Sequence, residues 1–310
     1  MIKNILVIRN DRFGEFLLNI PAMRALKELY PQARLTLAVS PAVVELAGAV
    51  ECVDEAVAWD QIKGNLSKRK FDLCVVLNPT KEAHWAAFWA GIPVRVGYNR
   101  KWGVLLTHKL KDTKCLGDRH EVDCNLELVS LIGAGNNGIA SSQKTLLAMT
   151  KIASDKFDFL AGAVAIHPFT SDPLKQWPVE RFMELAERIT QELGIKVVIV
   201  GLTMGRSKEI ISAPRNDGIV DMVNKTSLVE LAALLKRCSL LVSGDSGPVH
   251  LAACVGTPVV ALFRNDLPGK TSRRWGPWGE GHVVIEKGNL LEISVDEVAG
   301  EAKRIVGRHC

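Results

Sequence analysis

At 310 residues and 47% hydrophobic content, the chain is long enough for two domains and apolar enough for two cores. No apolar run approaches a membrane span, and residues 5–8, followed at once by Arg9, Asp11 and Arg12, are too few for a secretion-signal core, so a cytoplasmic protein is expected. Seven scattered cysteines without a C-x-x-C pair argue against a disulfide frame or a zinc site, and a net charge of +5 fits anionic partners without indicating nucleic acid.

Residues 3–9 read as an apolar first strand, and residues 10–14 as a loop. A helical pattern follows over 15–30, with Leu18, Met23, Leu26 and Leu29 on its buried side; Pro21 kinks it or marks its true start. Glu15 sits at the strand-to-helix junction. From position alone its carboxylate complements the helix dipole, worth about 0.3–1 kcal/mol. Residues 35–39 are a strand, and Ser40 can cap a short helix with Pro41 at its first position. Residues 55–59 and 73–77 are strands. Residues 81–90 form a helix that carries Trp85 and Trp89 on one face, read as core in preference to a sugar-stacking platform. Residues 94–97 are the last strand of this half. Over 95–120, Arg95, Arg100, Lys101, Lys109, Lys111, Lys114 and Arg119 stand against Asp112 and Asp118. This is a solvated loop, or else a basic surface for an acidic acceptor or an anionic membrane face. Residues 120–132 are helical, and 133–142, GAGNNGIASS, form a linker by composition. The halves are therefore set at 1–150 and 151–310.

The second half repeats the β-α order. Residues 164–168 are a strand, followed by a loop holding Thr170, Ser171 and Lys175. A lysine at a strand's carboxyl edge near hydroxyls suits a diphosphate as a point charge, although the same residue can be an ordinary surface lysine. Residues 179–193 are an amphipathic helix, 197–200 a strand, 206–211 a helix, and 227–237 a helix capped by Ser227. Residues 240–243 are a buried strand, and Gly244-Asp245-Ser246-Gly247-Pro248 a turn. The helix 249–255 and the strand 259–263 follow. This β-turn-α-β unit puts backbone N–H groups, a positive helix end and the Ser246 hydroxyl at the carboxyl edge of a sheet, where anions and nucleotides bind. His250, four residues on, can face the same ligand. A tight structural connection with a packed core histidine explains the same residues. Ser246 as a nucleophile is disfavoured, because Pro248 stands where a nucleophile elbow needs glycine. Arg273, Arg274, Trp275 and Trp278 lie in a glycine- and proline-rich loop, and 294–306 is a terminal helix.

Three stretches together resemble the motifs of glycosyltransferase family 9, the ADP-heptose lipopolysaccharide heptosyltransferases and their relatives. They are VIRNDRFGEFLLNIPAM at 7–23, T-S-x-x-x-K-x-W-P from Thr170, and D-S-G-P-x-H-L-A-A-x-x-G-T-P from Asp245. Alternation alone predicts α/β. The resemblance implies two Rossmann-like domains facing a cleft, the GT-B arrangement, with an acceptor-side first half and a nucleotide-sugar second half. In that fold the terminal helix commonly crosses back to the first domain. The resemblance makes Glu15, where the family usually has aspartate, the catalytic base. It assigns Thr170, Ser171, Lys175, Asp245, Ser246, Gly247 and His250 to the donor diphosphate and Glu209 to its ribose. The family often has glycine where Phe169 stands, and usually has it where Arg264 stands.

The expected function is inverting transfer of heptose from ADP-heptose to a hydroxyl of lipopolysaccharide inner core, with Arg100, Lys101, Lys109 and Lys111 on the acceptor side. A nucleotide-sugar epimerase of the same fold and a non-catalytic nucleotide-sugar binding protein are the alternatives. The partners implied are a nucleotide sugar, an acidic glycolipid and the inner-membrane surface. With no D-x-D in the chain, neither a metal nor a further cofactor is expected.

Overall fold

The computed structural model describes residues 1–133, 149, 152–203 and 217–307. The chain divides into two compact units, Met1–Lys151 and Ile152–Cys310.

In the first unit, strands β1 (Asn4–Arg9), β2 (Arg34–Val39), β3 (Glu55–Ala58), β4 (Leu73–Val76), β5 (Val94–Asn99) and β6 (His108–Lys111) form one parallel sheet. Its order is β3-β2-β1-β4-β5-β6. Ile5, Leu6, Val7 and Ile8 of β1 are all fully buried, because helices cover both faces of such a sheet and its central strands read as unbroken apolar runs. The helical pattern after β1 is two helices, Phe13–Leu17 and Ile20–Leu29. Pro21 lies in the first turn of the second, where its missing N–H costs nothing.

Two expectations for this half are corrected. Residues 94–97 do not end the sheet: β6 pairs with β5, with Gly97 opposite Lys109 and Asn99 opposite Lys111. Nor are the tryptophans of the helix Lys81–Trp89 core. Its buried residues are Ala83, His84 and Ala87, whereas Trp89 is 74% exposed. The small alanines let the helix approach the sheet closely, which turns its bulky side outward.

In the second unit, β7 (Val164–His167), β8 (Val197–Ile199), β9 (Ile219–Asp221), β10 (Leu240–Gly244), β11 (Val259–Arg264) and β12 (Val283–Lys287) form a second parallel sheet, ordered β12-β11-β10-β7-β8-β9. Taken from β9, this is the same winding as the first sheet: each half of the chain is a Rossmann-like unit. The helix Val179–Leu193 buries Phe182, Met183, Leu185, Ala186 and Ile189. Trp177, fully buried, packs edge-on against Phe182 at 4.7 Å and donates its ring N–H to the Ile293 carbonyl at 3.1 Å. The helix Leu228–Arg237 opens on a capping box in which Ser227 and Glu230 satisfy each other's backbone N–H.

The terminal helix Val295–Val306 also belongs to this unit. Its Val295, Val298, Ala302, Ile305 and Val306 join the core built on Val164, Phe182 and Val242. The apolar face of the helix is thus buried on its own unit. Among the described residues, no helix is long and apolar enough to cross a membrane.

Candidate active site

In an open parallel sheet of this winding, ligands bind outside the carboxyl ends of the strands, where the strand order reverses. That point lies between β1 and β4 in the first unit, and between β7 and β10 in the second. Each holds a cluster of polar side chains.

In the first unit the cluster is built on Arg9, the last residue of β1, which is 5% exposed. Its guanidinium donates to the Leu77 carbonyl beyond β4 at 2.9 Å and to Glu15 Oε2 at 2.7 Å, and its Nε lies 2.8 Å from Asp11 Oδ1. One buried cation thus joins the two strand ends and holds two carboxylates. Asn78 donates to Asn10 at 3.0 Å beside it. Glu15 sits in the first turn of the five-residue helix Phe13–Leu17, its side chain 31% exposed. The carboxylates part company in acidity. Burial, then the hydrogen bond to Glu15 and the charge of Glu15, push Asp11 up to about 7 against the pull of Arg9. Burial would raise Glu15 as well, but the hydrogen bond with Asp11 and the charges of Arg9 and Arg12 hold it below the usual carboxylate range. Of the pair, Glu15 is the carboxylate that ionises first, and Asp11 the one that keeps its proton to higher pH.

In the second unit His167 ends β7, and its Nδ1 lies 3.1 Å from Ser243 Oγ and 3.2 Å from Ser246 Oγ; the two hydroxyls are 2.8 Å apart. Burial lowers the His167 pKa to about 4, so the ring is neutral. Ser246 stands at the N-cap of the helix Gly247–Val255 without capping it, its hydroxyl given to Ser243 and His167 instead. Gly247 opens that helix, half-buried, and Gly256 closes it at φ +87°. Lys175 Nζ is ion-paired with Asp245 Oδ2, with side chains 18% and 11% exposed. Burial raises the Asp245 pKa, and the Lys175 charge works against that rise.

Two glycines let the backbone pass close to this cluster, Gly201 more strictly than Gly244. A Cβ on Gly244 would lie 3.3 Å from the Lys175 carbonyl oxygen. At Gly201, φ is +125° and a Cβ would fall 2.7 Å from both His167 Cδ2 and Phe169 Cδ2. Phe169 is buried edge-on against His167 at 5.7 Å. The loop carrying Lys175 is pinned by Gln176, which donates to the Pro168 carbonyl at 2.8 Å, by Arg264, which donates to the Leu174 carbonyl at 3.2 Å, and by Lys270, which reaches Asp172 at 3.1 Å.

The residues expected from sequence divide as follows. Lys175, Asp245, Ser246 and Gly247 gather at the β7/β10 edge. Thr170 is half-buried and accepts a hydrogen bond from the Asp172 N–H at 3.2 Å, and Ser171 is exposed on the same loop. His250 is 5% exposed, inside the packing of its helix. Glu209 and the expected helix over 206–211 lie outside the described residues. Arg100, Lys101, Lys109 and Lys111 are all exposed, with Arg100 ion-paired to Asp112. Lys114, counted in the basic stretch, is corrected: it is buried in an ion pair with Glu121, donates to Asn125 at 2.9 Å and lies over the Tyr98 ring. Sequence reasoning missed Arg9 and His167. Each is the final residue of a strand that borders a reversal of strand order, which is the signal that would have found them.

Comparison with known proteins fits this geometry. The chain is 23% identical to the lipopolysaccharide core heptosyltransferase OpsX of Haemophilus influenzae, over 98% of this chain and 97% of the relative. Its fold superposes on that of a glycosyl transferase family 9 protein from Veillonella parvula with a TM-score of 0.84, at 19% identity over 99% of this chain and 97% of that one. The ADP-heptose lps heptosyltransferase II of E. coli gives a TM-score of 0.82 at 21% identity, covering 99% of both chains. The family model for glycosyltransferase family 9 (heptosyltransferase) matches residues 59–297, a span that takes in both clusters' later strands and begins after Glu15. The chain belongs to glycosyltransferase family 9, and it is a transferase of that family.

Proposed function

We propose that this transferase moves a heptose from ADP-heptose to a hydroxyl of the lipopolysaccharide inner core, with inversion at the anomeric carbon. The observation that carries the reading is the content of the two strand-reversal edges: an ionised carboxylate fixed by a buried arginine in one unit, and a lysine, hydroxyls and a helix end in the other. Acceptor activation needs the first set and a departing diphosphate needs the second. The names of the relatives, a core heptosyltransferase and an ADP-heptose heptosyltransferase, supply the sugar, nucleotide and acceptor. On this reading residues 1–150 are the acceptor half and 151–310 the donor half. The enzyme works at the cytoplasmic face of the inner membrane, where a glycolipid acceptor is presented.

The chemistry is a single displacement. The acceptor oxygen attacks the anomeric carbon as the bond from that carbon to the diphosphate oxygen breaks. The hydroxyl proton passes to Glu15, and the bonding electrons leave with ADP. Glu15 suits the task because it is ionised at neutral pH and Arg9 keeps its oxygen aimed. Lys175, Thr170, Ser171, Ser246 and the N–H groups at Gly247 take up the charge that grows on the diphosphate. Each charge-assisted hydrogen bond contributes on the order of 1.5–3 kcal/mol, and only the part that strengthens in the transition state speeds the reaction. Asp245 orients Lys175 until the diphosphate arrives, and neutral His167 orients the Ser246 hydroxyl.

The test is direct. Purified enzyme given ADP-heptose and heptose-deficient core acceptor should yield ADP and a glycoside of inverted anomeric configuration. Conversion of the donor without acceptor would instead identify an epimerase, and donor binding without turnover a binding protein.

A further inference from the structure

The side of the Lys81–Trp89 helix that faces away from the sheet carries a connected group of aromatic rings. Trp85 and Trp89 stack with centroids 5.9 Å apart, Phe88 lies 5.6 Å from Trp89, and Trp102 lies 6.2 Å from Trp85. Trp89 is 74%, Phe88 39% and Val104 78% exposed. Val104 belongs to the turn Gly103–Leu105, which packs on this helix. Cations frame the group: Lys81 and Lys101 lie 5.3 and 5.7 Å from the Trp102 centroid, and Arg95 lies 5.5 Å from that of Phe88. The nearest acid on the helix, Glu82, is engaged elsewhere, accepting from the Trp59 ring N–H at 2.8 Å and pairing with Lys63 at 2.9 Å. Folding leaves these rings in water, and nothing in the transfer chemistry uses them; of the framing cations, Lys101 alone also belongs to the basic acceptor-side stretch.

We propose that this face docks the enzyme on an anionic phospholipid bilayer, with Trp89, Phe88 and Val104 entering the headgroup boundary and Lys81 and Lys101 meeting lipid phosphates. Tryptophan prefers the interface between water and hydrocarbon, and a basic side chain is drawn to an anionic surface. A sugar is the poorer fit. One face of Trp85 is covered by Trp89, cations occupy Trp102, and an exposed valine has nothing to offer a hydroxyl-rich ligand. The proposal rests on the glycolipid-acceptor reading for its purpose but on the surface alone for its chemistry.

Two measurements test it. In cosedimentation without donor or acceptor, the full-length protein should bind phosphatidylglycerol–phosphatidylcholine vesicles and not pure phosphatidylcholine. Phe88→Ser/Trp89→Ser/Val104→Ser should lower the partition coefficient by about tenfold or more. Lys81→Gln/Lys101→Gln should lower it by a comparable factor at low salt and by little at high salt. The triple serine variant should melt like the parent and transfer sugar to a delipidated core oligosaccharide at the parent's rate, yet lag on acceptor embedded in vesicles. The proposal is overturned if the parent ignores anionic vesicles or if the triple variant sediments like it. It is equally overturned if the soluble oligosaccharide, and not the vesicle, shields Trp89 from an aqueous quencher. If vesicle binding behaves as expected while no sugar is transferred from ADP-heptose, the docking face stands and the transfer reading falls.

Discussion

The carboxylates around Arg9 divide the work of the first cluster, and substitutions can tell them apart. Glu15→Gln keeps the shape and removes the basicity, so turnover should fall by about 10²–10⁴-fold with donor affinity little changed. Glu15→Asp, the residue usual in the family, should retain more activity than Gln; steady-state kinetics on both variants decide this. Asp11 is tested through stability. Its folded pKa of about 7 stands above the ordinary 3.8, so between those values the folded chain holds a proton that the unfolded chain has released. Stability therefore falls as pH rises through that window, and the penalty is complete above it. Asp11→Asn should raise the melting temperature at pH 8 by about 2–4 °C, for a gain of about 1 kcal/mol, and make no difference near pH 3. Groups facing Asp11 are Arg9 and Glu15, both of which the asparagine still meets. In the second cluster, Lys175→Ala should weaken donor affinity and lower turnover together, since the diphosphate charge grows as the bond breaks. An unchanged turnover number would make Lys175 an ordinary surface lysine. Ser246 and Gly247 could be placed at a sheet edge from their strand-turn-helix pattern, whereas Lys175 rested on the resemblance of its loop to a family motif. Arg9 and His167 were not, because a lone polar residue closing an apolar run looks the same whether it faces solvent or organises a site.

At the scale of elements, the strands easiest to read were those buried on both faces: β1, β10 and β11 each hold an unbroken apolar run, and in β2 only the buried Thr36 interrupts one. The edges were hard for the converse reason. In β6, His108, Lys109 and Lys111 are exposed, so the strand carries no burial pattern at all; β9 and β12 are also only partly covered. The Lys81–Trp89 helix misled differently. Tryptophan at a spacing of four suggests an inward face, but Ala83 and Ala87 with His84 form the inward face, and size had been taken for burial. The basic edge has its own expected behaviour. Neutralising Arg100, Lys101, Lys109 and Lys111 together should raise the Michaelis constant for the acidic acceptor and spare that for the donor. The difference should shrink with salt, since exposed charges are screened over about 10 Å at 0.1 M. Arg100 should contribute least of the four, because Asp112 already pairs with it.

For the molecule as a whole, the expectation is catalysis without a divalent metal: Lys175 and the start of the Gly247–Val255 helix supply positive charge where other sugar-diphosphate enzymes use an ion. Activity should survive EDTA; loss that magnesium or manganese restores would contradict this. The repeated winding of the two sheets has a further consequence, for biosynthesis. In each sheet the first strand made, β1 or β7, is central, and every later strand pairs with one already synthesised: β2 on β1, β3 on β2, β4 on β1, then β5 and β6 in turn, and likewise from β8 to β12. Among the described residues, only β1 and β7 leave the ribosome ahead of all their partners. The first sheet is complete by Lys111, before the second unit has begun to emerge, so each strand after the first in its sheet meets a waiting template instead of water or a neighbouring chain.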